Sequence, residues 1–312
     1  MTIPRIHARD PMPEALRGAV IALGNFDGFH LGHQAVAGEA IKQAKAAGRP
    51  AIIATFDPHP VRYFVPHAAA FRLTSLDQRQ RLFAAAGADA MLVFDFDAAL
   101  AGTTAEDFVA KLLVEQLGAA AVVTGEDFTF GKARGGNIGV LREVGAAHGL
   151  GCTAMGAVSD EGGVISSSRI REALQAGDCA EATRLLTRPF AVQGPVIHGD
   201  KNGRKLGFPT ANIYMSGYVR PAYGVYAVRG KLSDGRILDG AANIGIRPQF
   251  DPPKELLEPY FFDFSEDLYG QTIEVEFHAF IRGEAKYDGM DALMAQISKD
   301  CDVAKAMLSS PT

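Results

Sequence analysis

Two rhythms of apolar residues divide this chain of 312 residues. Through the first half, short unbroken apolar runs alternate with longer segments of helical period. "GAVIALG", "RPAIIATF", "DAMLVFDF" and "AAAVVTG" read as buried strands, while "LGHQAVAGEAIKQAKAAG", "TSLDQRQRLFAAAG" and "TTAEDFVAKLLVEQLG" read as helices. Gly48 suits the left-handed position that ends the first helix. Thr104, ahead of Glu106 and Asp107, is a candidate cap for the third. Strands buried on both faces and joined by helices pair in parallel, so the pattern predicts an α/β domain with a doubly wound, Rossmann-like sheet. "EALQAGDCAEATRLLTRPF" reads as helical until Arg188-Pro189 stops it. Beyond that point come short alternating pieces punctuated by glycine, with an Asp-Gly hairpin signal in "LSDGR". They predict a small antiparallel β-barrel or sandwich. A last helix, over "MDALMAQISKDCDVAKAML", places Leu293, Ile297 and Met307 near one face. The change of rhythm splits the chain into domains over residues 1–186 and 187–312.

Composition narrows the class. Hydrophobic residues make up 47% and charged residues 21%, which is a globular balance. A net charge of −5 argues against a bulk binder of nucleic acid or anionic membrane. The N-terminal stretch has no continuous apolar segment, so no signal peptide is expected, and no window suits a membrane span. Cys152, Cys179 and Cys301 form no CxxC, so the expectation is reduced thiols in the cytoplasm rather than a disulfide framework or structural zinc.

The candidate chemistry begins at "GNFDGFHLGHQ" (Gly24–Gln34), which follows the first predicted strand and opens a helix. Ligands of such sheets collect beyond the carboxyl ends of the strands. A helix N-terminus offers unpaired N–H groups and partial positive charge, which favour phosphate. Gly28 and Gly32 permit close backbone approach. His30 and His33, three residues apart, can face one side and donate to phosphate oxygens. Each histidine taken alone reads as an ordinary turn residue, and a metal pair lacks a third His or Cys nearby. Three further stretches add donors. "ISSSRIREAL" offers Ser166 and Ser167 with Arg169 and Arg171, although a capped surface helix reads the same way. "TGEDFTFGKARGGN" reads as a flap over an anionic second substrate or as a solvated loop. "TFDPHP" puts Asp57 and His59 at the same sheet edge.

Together these stretches resemble the bacterial bifunctional riboflavin kinase/FAD synthetase (FMN adenylyltransferase) family, over roughly residues 15 to 308. The N-terminal part matches in "GNFDGFHLGH", the HxGH signature of nucleotidyltransferases, and in "TFDPHP", "GEDFTFG" and "ISSSRIR". The C-terminal part matches in "HGDKNGRKLGFPTANI", "GVYAV", "AANIGIRP" and "FDFSEDLYG". The resemblance implies that the first domain transfers AMP from ATP to FMN and that the second phosphorylates riboflavin. It implies Mg²⁺ as cofactor, ATP as co-substrate, and riboflavin, FMN and FAD as substrates and products. It gives no role to nucleic acid or membrane, and it leaves a homo-oligomer open. Gly24, Asn25, Phe26, Asp27, Gly28, His30, Gly32 and His33 would bind ATP phosphate in the first domain, with Ser166, Ser167 and Arg169. Gly203, Lys205, Gly207, Pro209 and Thr210 would do so in the second. Asn25, Asp57, Asp127, Phe128 and Arg247 would meet flavin. Thr210 and Asn212, with side-chain oxygens suited to a hard cation, would hold the metal. Glu258 would be the kinase base, with Glu255 a nearby competitor.

The chain departs from the family pattern in several places. "RPQF" replaces "RPTF", and "EPY" replaces "EVH", so that Pro259 removes a backbone donor beside the base and restricts its strand to an edge or a bulge. Ser168 stands for Thr and Asn137 for Asp. The HxGH fold alone would also allow a nucleotidyltransferase with another acceptor, such as phosphopantetheine or a sugar phosphate. A flavin-binding sensor without turnover is the third reading.

Overall fold

The computed structural model describes residues 2–198, 207–247 and 254–309, the side chains of Arg247 and Lys254 excepted. It divides into two compact units, one of residues up to Ala68 with Leu76–Ser166, the other of Ala69–Ser75 with everything from Ser167 on.

The first unit is built on strands β1 (Arg5–His7), β2 (Val20–Leu23), β3 (Ala51–Asp57), β4 (Ala90–Asp95), β5 (Ala121–Gly125) and β6 (Gly151–Met155). They form one parallel sheet in the order β1-β4-β3-β2-β5-β6. Alternate residues feed two cores. Ile21, Leu23, Ile52, Leu92 and Phe94 face one side, whereas Val20, Ala22, Ile53, Met91 and Val93 face the other. Helices α1 (Leu31–Ala46) and α3 (Leu76–Ala86) cover the second core. α5 (Ala105–Asp107), continued by a wide π-turn stretch over Phe108–Gln116, and α6 (Ile138–Ala147) cover the first. Two small helices, α2 (Pro60–Phe64) and α4 (Ala98–Gly102), sit in the loops after β3 and β4. The doubly wound sheet is therefore as predicted. The predicted caps also form: Thr104 Oγ1 accepts from the Asp107 N–H at 3.1 Å, and Gly48 takes φ +62°. The strand order reverses beside β2, whose neighbours are β3 on one side and β5 on the other. Their outgoing loops part there and leave a crevice. β1 and β6 carry too few apolar residues to stand out in the sequence, whereas α6 carries an apolar stripe of Ile138, Leu141 and Val144 that the sequence reading passed over. The short β7 (Ser159–Asp160) and β8 (Gly163–Val164) pair antiparallel after the sheet.

The second unit opens with α7 (Ser167–Gln175) and α8 (Cys179–Leu186). The single helix read up to Arg188-Pro189 is in fact these two. Gly177 at φ +79° breaks it, and Asp178 caps α8 by accepting from the Glu181 N–H at 2.9 Å. Strands β9 (Phe190–Pro195), β10 (Ile213–Tyr214), β11 (Gly224–Lys231), β12 (Ile237–Arg247), β13 (Lys254–Phe261) and β14 (Thr272–Gly283) follow. They form an antiparallel sheet in the order β10-β13-β12-β11-β14-β9. A bridge between Ile197 and Asn212 draws its two edges together into a nearly closed barrel. Gly194 at this seam lies against Ile213, where a Cβ would come within 2.8 Å. The hairpin predicted at "LSDGR" joins β11 to β12, with Gly235 at φ +90°. The terminal helix α9 (Met290–Ser309) lays Ile297, Cys301, Ala304 and Leu308 over Ala227, Ala241 and Ile281 on the outside of the barrel. Met307, expected on the packed face, is 42% exposed instead, because the i, i+4 stripe passes through Ala304 and Leu308.

Candidate functional site

The loop Gly24–His30 leaves β2 at the point where the strand order reverses. Carbonyls within it and just before it are claimed from both flanking strands. Thr124 on β5 donates its hydroxyl to Leu23 O at 2.9 Å, and Thr55 on β3 donates to Asn25 O at 2.6 Å. Arg79, buried to 2% exposure on α3, donates to Thr55 Oγ1 at 2.8 Å. C=O and N–H of a trans peptide point in opposite directions, so holding Asn25 O inward turns the Phe26 amide the other way, whereas the Gly24 N–H after Leu23 donates to Ala54 O at 3.3 Å. Phe26 and Phe29 hold φ of 48° and 46°, a conformation unfavourable for bulky residues. Their rings pay for it by packing edge-on against one another and against Phe83. Only the backbone of Phe26 is thus left for a ligand. Asp27 and Gly28 are buried in the turn. Asn25 Oδ1 is buried with no hydrogen-bond partner among the described residues, an orphaned acceptor at the crevice.

The two histidines meet, as their spacing predicted. The rings stack with centroids 3.7 Å apart and planes 21° apart. His30 is also the N-cap of α1, its Nδ1 accepting from the His33 N–H at 3.4 Å. That bond makes Nδ1 an acceptor and leaves the ring proton on Nε2. Gly32 lies beneath this ring. A Cβ there would stand 3.2 Å from His30 Cε1 and 3.4 Å from Ile165 O. The structure therefore brings together the capped start of α1 and two stacked imidazoles beyond the end of β2.

The loops after β3 and β5 flank this one. Asp57 ends β3, half-buried, and His59 caps α2 by accepting from the Val61 N–H at 3.2 Å. Asp127 is exposed in the turn after β5, close against Gly125. Phe128 stacks on Phe130 at 5.6 Å. The basic segment that follows is a pinned hairpin rather than an open loop. Phe130 and Gly136 exchange two backbone hydrogen bonds, at 3.1 and 2.9 Å, and the Phe130 ring packs on Phe108. Lys132 and Arg134 are at its tip. Asn137, in place of the usual Asp, caps α6 through the N–H groups of Gly139 and Val140. Sequence reasoning missed Arg79, Thr55 and Thr124. Arg79 had a signal, since it occupies an apolar position in the stripe Leu76, Arg79, Phe83.

Ser166 closes the first unit, and Ser167 begins α7 in the second. Arg169 pairs with Glu181 at 2.6 Å, and hydrogen bonds from Arg184 and Arg169 hold that carboxyl below the ordinary range. Arg171 donates to Phe71 O at 2.7 Å and lies over the Phe71 ring.

In the barrel, Pro209 and Thr210 line a pocket of about 470 Å³ with Val196, Phe261, Asp267 and Tyr269. Gly207 precedes them at φ +82°. Asn212 is buried two residues on from Thr210, on the same side of an extended segment. Gly203, Lys205 and the start of their motif lie outside the described residues, as does the side chain of Arg247. Glu258 lies on β13 directly opposite Asn243. Pro259 is accommodated because its carbonyl, which accepts from the Ala211 N–H at 2.9 Å, points away from β12. The missing N–H would face the same way, so the β12–β13 ladder loses nothing. Glu255 is otherwise engaged: it accepts from Arg220 Nε at 2.5 Å and from the Tyr223 hydroxyl. Burial raises its carboxyl, but those two bonds and the Arg220 charge outweigh burial and hold it below the usual range. Burial and the same carboxylate push the Tyr223 phenol up to about 12.

Two family models match the chain in order. Residues 12–169 match the FAD synthetase family and residues 186–308 the riboflavin kinase family. A bifunctional riboflavin kinase/FMN adenylyltransferase of Haemophilus influenzae is 39% identical over 295 residues, covering 95% of this chain and 96% of the relative. The proteins of that description from Escherichia coli K12 and Bacillus subtilis are 37% and 36% identical, over 95% and 96% of this chain and 94% and 95% of their own. A solved Streptococcus pneumoniae structure, titled a macrolide-efflux protein, superimposes with a TM-score of 0.85 at 31% identity, over 97% of this chain and 99% of that one. No helix among the described residues here is long and apolar enough to cross a membrane. With both halves matched in order and 94% to 96% of these relatives covered, the chain belongs to the family of bifunctional riboflavin kinase/FMN adenylyltransferases.

Proposed function

We propose that two domains, divided near residue 186, carry out successive steps of flavin cofactor synthesis. Riboflavin is phosphorylated to FMN in the barrel, and FMN is adenylylated to FAD on the parallel sheet. Adenylyl transfer needs no protein nucleophile. An FMN phosphate oxygen attacks the α-phosphorus of ATP, the bond to the bridging oxygen breaks, and pyrophosphate leaves. The protein's share is positioning, and donors for charge that moves onto the leaving group. His30 Nε2 and His33 supply those donors at the start of α1, and the Gly24–Gly28 loop is assigned to phosphate by its motif. Asn25, Asp57, Asp127 and Phe128, at the carboxyl ends of neighbouring strands, receive the flavin nucleotide. Ser166, Ser167 and Arg169 are assigned to phosphate by their motif. The observation that carries the adenylyltransferase reading is the His30–His33 stack at the point of strand-order reversal.

In the kinase step the ribityl 5′-hydroxyl attacks the γ-phosphorus of ATP and ADP leaves. Glu258 takes the hydroxyl proton. Glu255 does not compete, because its carboxylate is bound to Arg220 and Tyr223. The pocket beside Thr210 takes ATP. Its lining offers the Thr210 hydroxyl and Asp267 carboxylate, an oxygen set that suits Mg²⁺ entering with a nucleotide, and Thr210 and Asn212 would hold that ion. When bound, Mg²⁺ neutralises phosphate charge. The enzyme is assigned to the cytoplasm, where ATP and reduced thiols prevail.

A time course of riboflavin, FMN and FAD by HPLC tests the reading. The wild type makes FMN and then FAD. His33→Ala stops at FMN, and Glu258→Gln makes FAD only when FMN is supplied. Loss of both steps in either folded variant would refute independent sites.

A further inference from the structure

We infer that Asn243 is a positioning residue for the kinase step, orienting the carboxylate of Glu258, and that Glu284 keeps the Asn243 amide in place. The inference rests on the assignment of Glu258 as the base. Three observations carry it. First, Asn243 on β12 and Glu258 on β13 are direct cross-strand partners. Pro259 turns its backbone away from β12, so residues 243 and 258 form the hydrogen-bonded pair of the ladder, with side chains on one face at contact range. Second, that face is the one covered by α9. It carries Ala241 and Tyr260 beside the pair, and both join the cluster that packs on Ile297 and Cys301. Third, the next residue of β12 on this face is Gly245, and the space above it is filled from two sides. Glu284 Oε1 crowds the place a Cβ would take, and Asn243 Nδ2 lies 3.2 Å from that place. A side chain at 245 would displace both groups.

An amide is the suitable neighbour for a general base. It donates to the carboxylate without adding charge, so it fixes the direction of the lone pair and leaves basicity nearly intact. A carboxylate at 243 would repel the base and raise its pKa. A hydrocarbon would leave it free to turn. Glu284, exposed just past the end of β14, stands beside the amide over Gly245. In the phosphoryl transfer the ribityl O–H bond breaks toward Glu258 as the new O–P bond forms, and the bond to the ADP oxygen breaks.

The test is steady-state riboflavin kinase kinetics across pH for Asn243→Ala, Asn243→Asp, Glu284→Gln and Glu258→Gln. FMN adenylylation is followed in parallel as a control on folding. Asn243→Ala should lower kcat roughly tenfold or more with KM for ATP unchanged. Asn243→Asp should move the acidic limb of the kcat profile to higher pH, and Glu284→Gln should give a smaller loss of kcat. A purely structural role would lower thermal stability without moving the limb. Wild-type kcat and limb in both Asn243 variants, with Glu258→Gln inactive, would overturn the inference and leave the base assignment standing. Full kinase activity in Glu258→Gln would overturn the base assignment itself. If Asn243→Ala were still slow in that case, Asn243 would act on the substrate and not through Glu258.

Discussion

Arg79 Nη1 donates to Thr55 Oγ1 at 2.8 Å, and Thr55 in turn donates to the backbone oxygen of Asn25 at 2.6 Å. Arg79 and Thr55 are almost wholly buried. This chain fixes the peptide planes of the loop at the mouth of β2. Thr55→Val keeps the shape and removes the hydroxyl, so Asn25 O loses its 2.6 Å donor and keeps the longer bond from Arg79 Nη1 at 3.4 Å. The expected result is a loss of about 1–3 kcal/mol from unfolding of the first unit. FAD formation should slow while riboflavin phosphorylation is unchanged. Urea unfolding and the HPLC assay read the two effects, and unaltered FAD formation would show that the loop does not need this anchor.

The histidines should separate by what each holds. His30 is 5% exposed and caps α1, so His30→Ala removes a cap worth about 1 kcal/mol together with a phosphate donor. His33 is half-buried and is not the N-cap of α1. His33→Ala should cut FAD synthesis about a hundredfold with little change in melting temperature. Equal loss of stability in the two variants would count against this division.

Two glycines of α1 give a matched pair. At Gly32 a Cβ would press on the His30 ring and Ile165 O, so Gly32→Ala should slow adenylyl transfer. At Gly38, exposed and in mid-helix, a Cβ meets nothing within 4 Å. Gly38→Ala should stabilise the first unit by about 0.5–1 kcal/mol and leave activity alone. Calorimetry and kinetics on both variants decide the matter.

Glu255 has a carboxyl pKa lowered in the folded state, so its contribution to stability is complete above its unfolded value of about 4.3. It fades as pH falls through the lower folded value. Glu255→Gln should therefore weaken the barrel at neutral pH, and the gap to wild type should close in acid. Kinase activity should persist, since the base is elsewhere. A gap that widened in acid would contradict the sign of the shift.

The thiols should be inert in the folded protein. Burial pushes Cys179 up to about 12 and Cys301 up to about 11. Iodoacetamide at pH 8 should leave both unmodified by mass spectrometry until urea is added. Rapid native labelling of either would mean that its helix opens.

What the amino-acid order settled by itself was local and repetitive. The alternation of apolar runs with helical stripes dictated the parallel sheet, because a strand buried on both faces needs helices over both. The glycine turns dictated a second, antiparallel unit. "GNFDGFHLGH" named its chemistry because adjacent residues make the helix start and its imidazoles. What only the tertiary structure decided involves residues distant in the chain. Arg79 and Thr55 are joined under Asn25 by packing of α3 on the sheet. Glu255 is distinguished from Glu258 by Arg220 and Tyr223, and Asn243 and Glu284 meet over Gly245. A hydrogen bond or ion pair forms wherever burial brings partners within about 3 Å, and sequence separation carries no trace of that distance.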